Sequence, residues 1–167
     1  MFRLKIIIPL IIILSGFLTP DDRIIPVKGG GINDINRNSF WSYPWGKSVT
    51  HKGIDIFAKE GTDLFSSTYG IVLFRGEFGR GGNVVAILGP KWRLHYYAHL
   101  KEISTGFFNP VYPGEIIGTV GKTGNAANTP PHLHYSIMTL IPYLWRADSS
   151  IQGWKKIFFL NPYEEIK

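Results

Sequence analysis

From Phe40 onward the chain alternates short apolar runs with glycine and proline, the pattern of strands joined by turns. Gly70-Ile71-Val72-Leu73-Phe74, Asn83 to Leu88 and Arg93 to Leu100 each read as a strand, and Glu115 to Val120 and His132 to Thr139 follow. Runs about ten to fifteen residues apart predict a mainly β fold, a single compact antiparallel β-sheet domain. Residues 140–160 are rich in aromatic side chains and read as a long loop returning to a final short strand near Ile157 to Leu160. Residues 21–38 are polar and glycine-rich and read as a linker or lead-in segment, which leaves 39–167 as the folded domain.

The N-terminus has a different pattern. Arg3 and Lys5 precede an apolar run from Ile6 to Leu18, followed by Thr19-Pro20-Asp21-Asp22. A run of 13 residues falls short of the roughly 20 that a spanning helix needs, so residues 1–20 are expected to be a secretory signal, or a membrane anchor if uncleaved. Export to the periplasm, the cell envelope or the medium follows from either.

Composition narrows the chemistry. With 167 residues and 44% hydrophobic content the chain can build one ordinary core. It has no cysteine, which excludes disulfides, thiolate-ligated zinc and thiol nucleophiles. The net charge of +6, or +4 without residues 1–20, suits an exported protein near an anionic envelope. No Lys/Arg run is dense enough for a nucleic-acid partner. Gly121-Lys122-Thr123 is not a phosphate loop, because the glycine required five residues earlier is Ile116.

The histidines carry the chemistry. Four of the five fall in three short strings: His51-Lys52-Gly53-Ile54-Asp55, Tyr97-Ala98-His99 and His132-Leu133-His134. On a strand, residues two apart point the same way with Cα atoms about 6.5–7 Å apart, so His132 and His134 share a face. One can hold a metal while the other reaches the space beside it, and spacing does not say which. His51 and Asp55 would stand about 13 Å apart on a straight strand, too far to share one ion, so the chain must bend between them at Gly53. His51, Asp55 and one member of the H-x-H pair form a two-nitrogen, one-oxygen set that suits one zinc ion with a position left open for water. His99 and the other member are then placed to move protons or stabilise an oxyanion. His95, Tyr97 and His99 would share a strand face, which makes Tyr97 a candidate lining residue and His95 a core histidine. Phe40, Trp41, Tyr43 and Trp45 read as core or loop packing, with Trp45 and Asn83 further candidates for the substrate groove.

At these residues the chain resembles the lysostaphin-like, LytM-type zinc metalloendopeptidases, which cut peptide bonds in bacterial peptidoglycan. The resemblance runs from about Phe40 to Tyr163 and includes HKGIDI at 51–56, GTDLFSSTYGIV at 61–72, GGNVVAIL at 81–88, YAHL at 97–100, PGEIIGTVGKTGN at 113–125 and PHLHY at 131–135. It implies His51, Asp55 and His134 as zinc ligands and His99 and His132 as the catalytic pair. It also implies a β-sheet domain with an open groove flanked by loops, acting on the peptides of peptidoglycan; the chain is expected to act as a monomer. The chain departs from the family's pattern at Asn125 to Pro131 and at Trp45-Gly46-Lys47, which puts substrate preference in question more than catalysis. The rival implied by the same family is a non-hydrolytic relative that binds the wall and activates an amidase, but such relatives usually lose one of the five residues present here.

Overall fold

A computed structural model describes residues 8, 11 and 13–166. Arg3, Lys5 and part of the apolar run that suggested a signal lie outside the described residues. Of that run, residues 8, 11 and 13–18 are helical, and among the described residues no helix is long and apolar enough to cross a membrane.

Among the described residues the apolar runs become nine strands: β1 (Ile54–Phe57), β2 (Asp63–Phe65), β3 (Gly70–Glu77), β4 (Asn83–Gly89), β5 (Arg93–Leu100), β6 (Pro110–Val111), β7 (Ile116–Thr119), β8 (His132–Thr139) and β9 (Phe159–Leu160). The main sheet runs β1-β8-β5-β4-β3-β6, with β9 beside the far end of β8, and β2 and β7 form a second small sheet. Every pairing is antiparallel. β3 extends three residues beyond the apolar run, because Arg75, Gly76 and Glu77 continue the ladder with β4 despite their polarity. Residues 140–158 hold two short 3-10 turns, Leu144–Arg146 and Gly153–Phe158, before β9 pairs with β8.

The two faces of the main sheet differ in kind. Ile54 and Ile56 of β1 and Leu133, Tyr135 and Ile137 of β8 point to one side and are fully buried with Leu64, Ile117 and Leu160. The alternate positions, Asp55 and His132, His134, Ser136 and Met138, point to the other side, where loops rather than a second layer stand over the sheet. A period of two therefore separates core from site, and β8 belongs to both.

Residues 21–38 are a packed lead-in rather than a free linker. Val27 bridges to Leu64, Ile35 bridges to Ile56, and both side chains are buried on the core side. The described part of this segment therefore lies behind the groove, not across it. Arg23 pairs with Asp21 and Glu165, and Arg93 at the start of β5 reaches the same Glu165 at 2.8 Å. That network ties the lead-in to the sheet and to the C-terminal helix Pro162–Glu165.

Candidate metal centre and active site

β1 and β8 place the first two groups. Their register sets Asp55 directly opposite His134, and His134 Nδ1 stands 2.9 Å from Asp55 Oδ1. His51 lies three residues before β1, and the chain bends at Gly53 to bring it back over the pair. Gly53 is required there by proximity. A Cβ would fall 2.5 Å from both Ser136 Oγ and the Tyr135 carbonyl oxygen, and 3.0 Å from the His134 ring. Without a side chain the backbone can lie against β8, and His51 Nε2 reaches to 3.0 Å from His134 Nδ1 and 3.1 Å from Asp55 Oδ1.

The far side of each ring fixes which nitrogen faces inward. His51 Nδ1 is 3.0 Å from the Ser39 carbonyl, which can only accept, so that nitrogen carries the proton. Ser136 Oγ donates to the Lys52 carbonyl at 2.9 Å and so accepts from His134 Nε2 at 3.0 Å. Both inward nitrogens, His51 Nε2 and His134 Nδ1, therefore present lone pairs. Histidines that bind metal are commonly held in this way, with the second ring nitrogen donated to a carbonyl or hydroxyl.

Two nitrogen lone pairs and a carboxylate oxygen within about 3 Å repel one another unless a cation lies among them. A proton can bridge one pair, whereas a divalent metal serves all three. Ligands about 2.0–2.1 Å from a tetrahedral zinc are themselves about 3.3 Å apart, close to the triangle of 2.9–3.1 Å seen here. The residues present thus fit zinc, and they are the one such group of His, Asp and Glu among the described residues. Burial opposes charge on Asp55, but the two imidazoles against it hold its carboxyl well below the usual carboxylate range. Burial also favours neutral His134, despite the carboxylate beside it.

His99 and His132 stand beside this triangle. Their ring centroids are 5.0 Å apart, and His99 lies 6.0 Å from His134. His132 Nδ1 donates to the Pro130 carbonyl at 2.8 Å, and its Nε2 comes within 4.0 Å of Asp55. His99 Nδ1 donates to the Thr123 carbonyl at 2.9 Å, which leaves Nε2 as an acceptor toward the groove. Burial, with His134 and His132 nearby, lowers the His99 pKa to about 4, so its imidazole is neutral at neutral pH.

The expected strand face at β5 is wrong in one respect. His99 has φ 68°, and the β4–β5 register shifts between Asn83 and Val85, so a bulge breaks the alternation after Tyr97. His99 thereby joins the face of Tyr96 and Ala98. Tyr97 stays on the core side, fully buried, with its hydroxyl accepting the Ser67 amide at 2.9 Å. It does not line the groove; Tyr96 does, edge-on to His134. His95 is buried on the Tyr97 side, its Nδ1 2.7 Å from the Tyr135 hydroxyl.

Trp45 does line the groove and stacks on His51 with centroids 4.0 Å apart. Asn83 turns away from the groove, its Nδ2 donating to the Lys101 carbonyl at 3.2 Å. Sequence reasoning missed the holders of the rings: Ser39, Thr123, Pro130 and Ser136. Three of them act through backbone carbonyls, which carry no residue-type signal. Ser136 alone could have been found, two residues after His134 on the same strand face.

Comparisons with known proteins identify the family. The chain is 37% identical over 115 residues to the L-Ala–D-Glu endopeptidase of Bacillus subtilis, covering 62% of this chain and 35% of that one. It is 44% identical over 123 residues to the DD-carboxypeptidase/endopeptidase Mpg of Neisseria meningitidis, covering 69% of this chain and 28% of that one. The chain thus spans about a third of the length of these curated relatives. Among solved structures, the catalytic domain of the antimicrobial peptidase lysostaphin from Staphylococcus simulans superposes with a TM-score of 0.59 at 28% identity, over 64% of this chain and 82% of that one. Peptidase family M23 matches residues 49–145, a span that begins just before His51 and closes after β8, so that all five converging side chains lie inside it. The chain belongs to peptidase family M23.

Proposed function

We propose that this chain is an exported zinc endopeptidase that hydrolyses peptide bonds in bacterial peptidoglycan. The observation that carries the reading is the convergence of His51 Nε2, Asp55 Oδ1 and His134 Nδ1, with two further imidazoles, His99 and His132, beside them. His51, Asp55 and His134 would hold the ion. When bound, zinc supplies Lewis acidity, acidifying a water and stabilising charge at the scissile carbonyl.

The chain's own residues do the rest. Asp55 balances the cation's charge, while Ser39 and Ser136 keep both ligand rings turned inward. His99 Nε2, held as an acceptor by Thr123, takes the proton from the attacking water. His99 returns that same proton to the leaving amine, while His132, held by Pro130 and facing the same space, donates toward the developing oxyanion when its Nε2 carries a proton. Trp45 packs over His51 and shields that side of the centre from solvent. All five groups come from one chain, so a monomer suffices. Peptidoglycan as substrate follows from the named activities of the relatives, and export from the basic and apolar N-terminal pattern.

Metal analysis and wall digestion test this together. The purified chain should hold about one zinc; His134→Ala should lose it, and His132→Ala should keep it while losing activity by more than about 100-fold. Mass spectrometry of digested cell walls would identify the bond. A zinc-loaded chain that releases no peptide from any wall type would sink the enzyme reading.

A further inference from the structure

The groove on either side of the histidines has a charge imbalance that metal binding does not use. Its walls present Lys47, Lys52 and Arg80, and the only acid among the described residues lining it is Asp55, which faces the two ligand histidines. A divalent ion would make the groove more positive still.

The cations are not equivalent. Lys52 is committed to uncharged acceptors, donating to the Ser48 carbonyl at 2.9 Å and to Gln152 Oε1 at 2.8 Å. Arg80 is exposed, lines both arms of the groove, and has no ion pair among the described residues. Its charge is felt by both Lys52 and Tyr96 across the opening.

The backbone under Arg80 is fixed although its side chain is free. It sits in the 3-10 turn Gly79–Gly81 between β3 and β4. A Cβ on Gly81 would strike the Tyr96 hydroxyl at 2.1 Å, and one on Gly124 would strike the Arg80 carbonyl at 2.3 Å. The turn is therefore pressed against the Thr123-Gly124 backbone, the same segment whose carbonyl holds His99. A guanidinium rooted here lines the groove within reach of the space beside the catalytic histidines. Its planar fork of donors matches a carboxylate.

We propose that Arg80 binds a free carboxylate of the peptide substrate, and that the groove thereby selects an acidic peptide over an uncharged one such as polyglycine. This rests on the reading of the chain as a peptidase of wall peptides. It assigns the groove a specificity that the metal centre alone does not confer.

The test uses a peptide containing a D-glutamyl residue, prepared with its glutamyl and C-terminal carboxylates free, and then with each amidated in turn. Binding to the zinc-supplemented chain is measured by calorimetry, and kcat and KM are measured separately. Amidating one of the two carboxylates should weaken binding roughly 10- to 100-fold, as loss of a charged hydrogen-bonded pair does. Arg80→Gln should bind the free and amidated forms alike, and Arg80→Lys should keep part of the preference. The proposal is overturned if the wild-type chain binds all forms equally or binds none, or if Arg80→Gln still discriminates. A chain that discriminates in binding yet cuts nothing refutes the peptidase reading and leaves the carboxylate site standing. One that cuts every form with the same KM does the reverse.

Discussion

Ser136 stands two residues after His134 on the same strand face, and its hydroxyl decides which way that ring presents its lone pair. Ser136→Ala removes the acceptor for His134 Nε2–H without touching the core side of β8. Loss of such an outer partner typically weakens metal binding 10- to 100-fold. A competition titration with a zinc chelator should show that loss with the thermal midpoint of the metal-free chain little changed. An unchanged zinc affinity would mean that the ring is held by the fold alone. At this scale much was legible. Two histidines at i, i+2 and an aspartate four after another histidine have few other uses, and geometry demanded a bend at Gly53. The rest was hidden because carbonyls of Ser39, Thr123 and Pro130 hold three of the rings, and any residue supplies a carbonyl.

At the scale of elements, the decisive feature is the bulge that ends β5. Strict alternation would have placed His99 beside Tyr97 in the core; positive φ at His99 moves it to the groove. That reversal was not legible, because a bulge at a non-glycine residue leaves no mark in the apolar pattern, and so Tyr97 was expected where Tyr96 stands. Short β2 and β6 were equally hidden, since two or three residues cannot show a period. The long strands β4, β5 and β8 were legible because burial on one face imposes it on the sequence. The bulge depends on the neighbouring turn. Gly82 has φ 62°, and a Cβ there would lie 2.3 Å from Thr123 Oγ1 and 2.4 Å from the Gly124 amide. Gly82→Ala should displace Thr123, cost about 1–3 kcal/mol of stability, and lower kcat while zinc content stays near one. Gly79 also has positive φ, 48°, but nothing lies within 4 Å of its missing Cβ, so Gly79→Ala should spare activity. Equal losses of kcat in the two variants would show that backbone strain, not contact with Thr123, governs the site.

For the molecule as a whole, closure of the fold depends on a buried corner where the lead-in, β5 and the C-terminal helix meet. Arg23 and Arg93 share Glu165 there, and His95 lies behind them with no exposed surface. The lead-in read as a linker because glycines and polar residues separate two short apolar pieces, Ile24 to Val27 and Ile32 with Ile35, and neither is long enough to show a period. His95 pairs with a tyrosine rather than an acid, so burial, with Arg23 and Arg93 nearby, lowers its pKa from 6.5 to about 3. The unfolded chain takes up this proton as pH falls through about 6.5, and the folded chain does so only near 3. Between those values the unfolded state binds more protons, so stability from neutral His95 is complete above about 6.5 and is lost as pH falls toward 3. One such group gives a slope of about 1.36 kcal/mol per pH unit inside the window. His99, lowered to about 4, adds a slope of the same sign over most of that range. Urea unfolding of the metal-free chain from pH 7 to pH 4.5 should therefore show stability falling steeply with acidity. His95→Gln, which cannot titrate, should flatten that fall by one proton's slope while lowering stability at pH 7. If the wild-type and variant curves run parallel below pH 6.5, then His95 is not the group that makes this corner acid-labile, and the loss belongs to His99 and His134 instead.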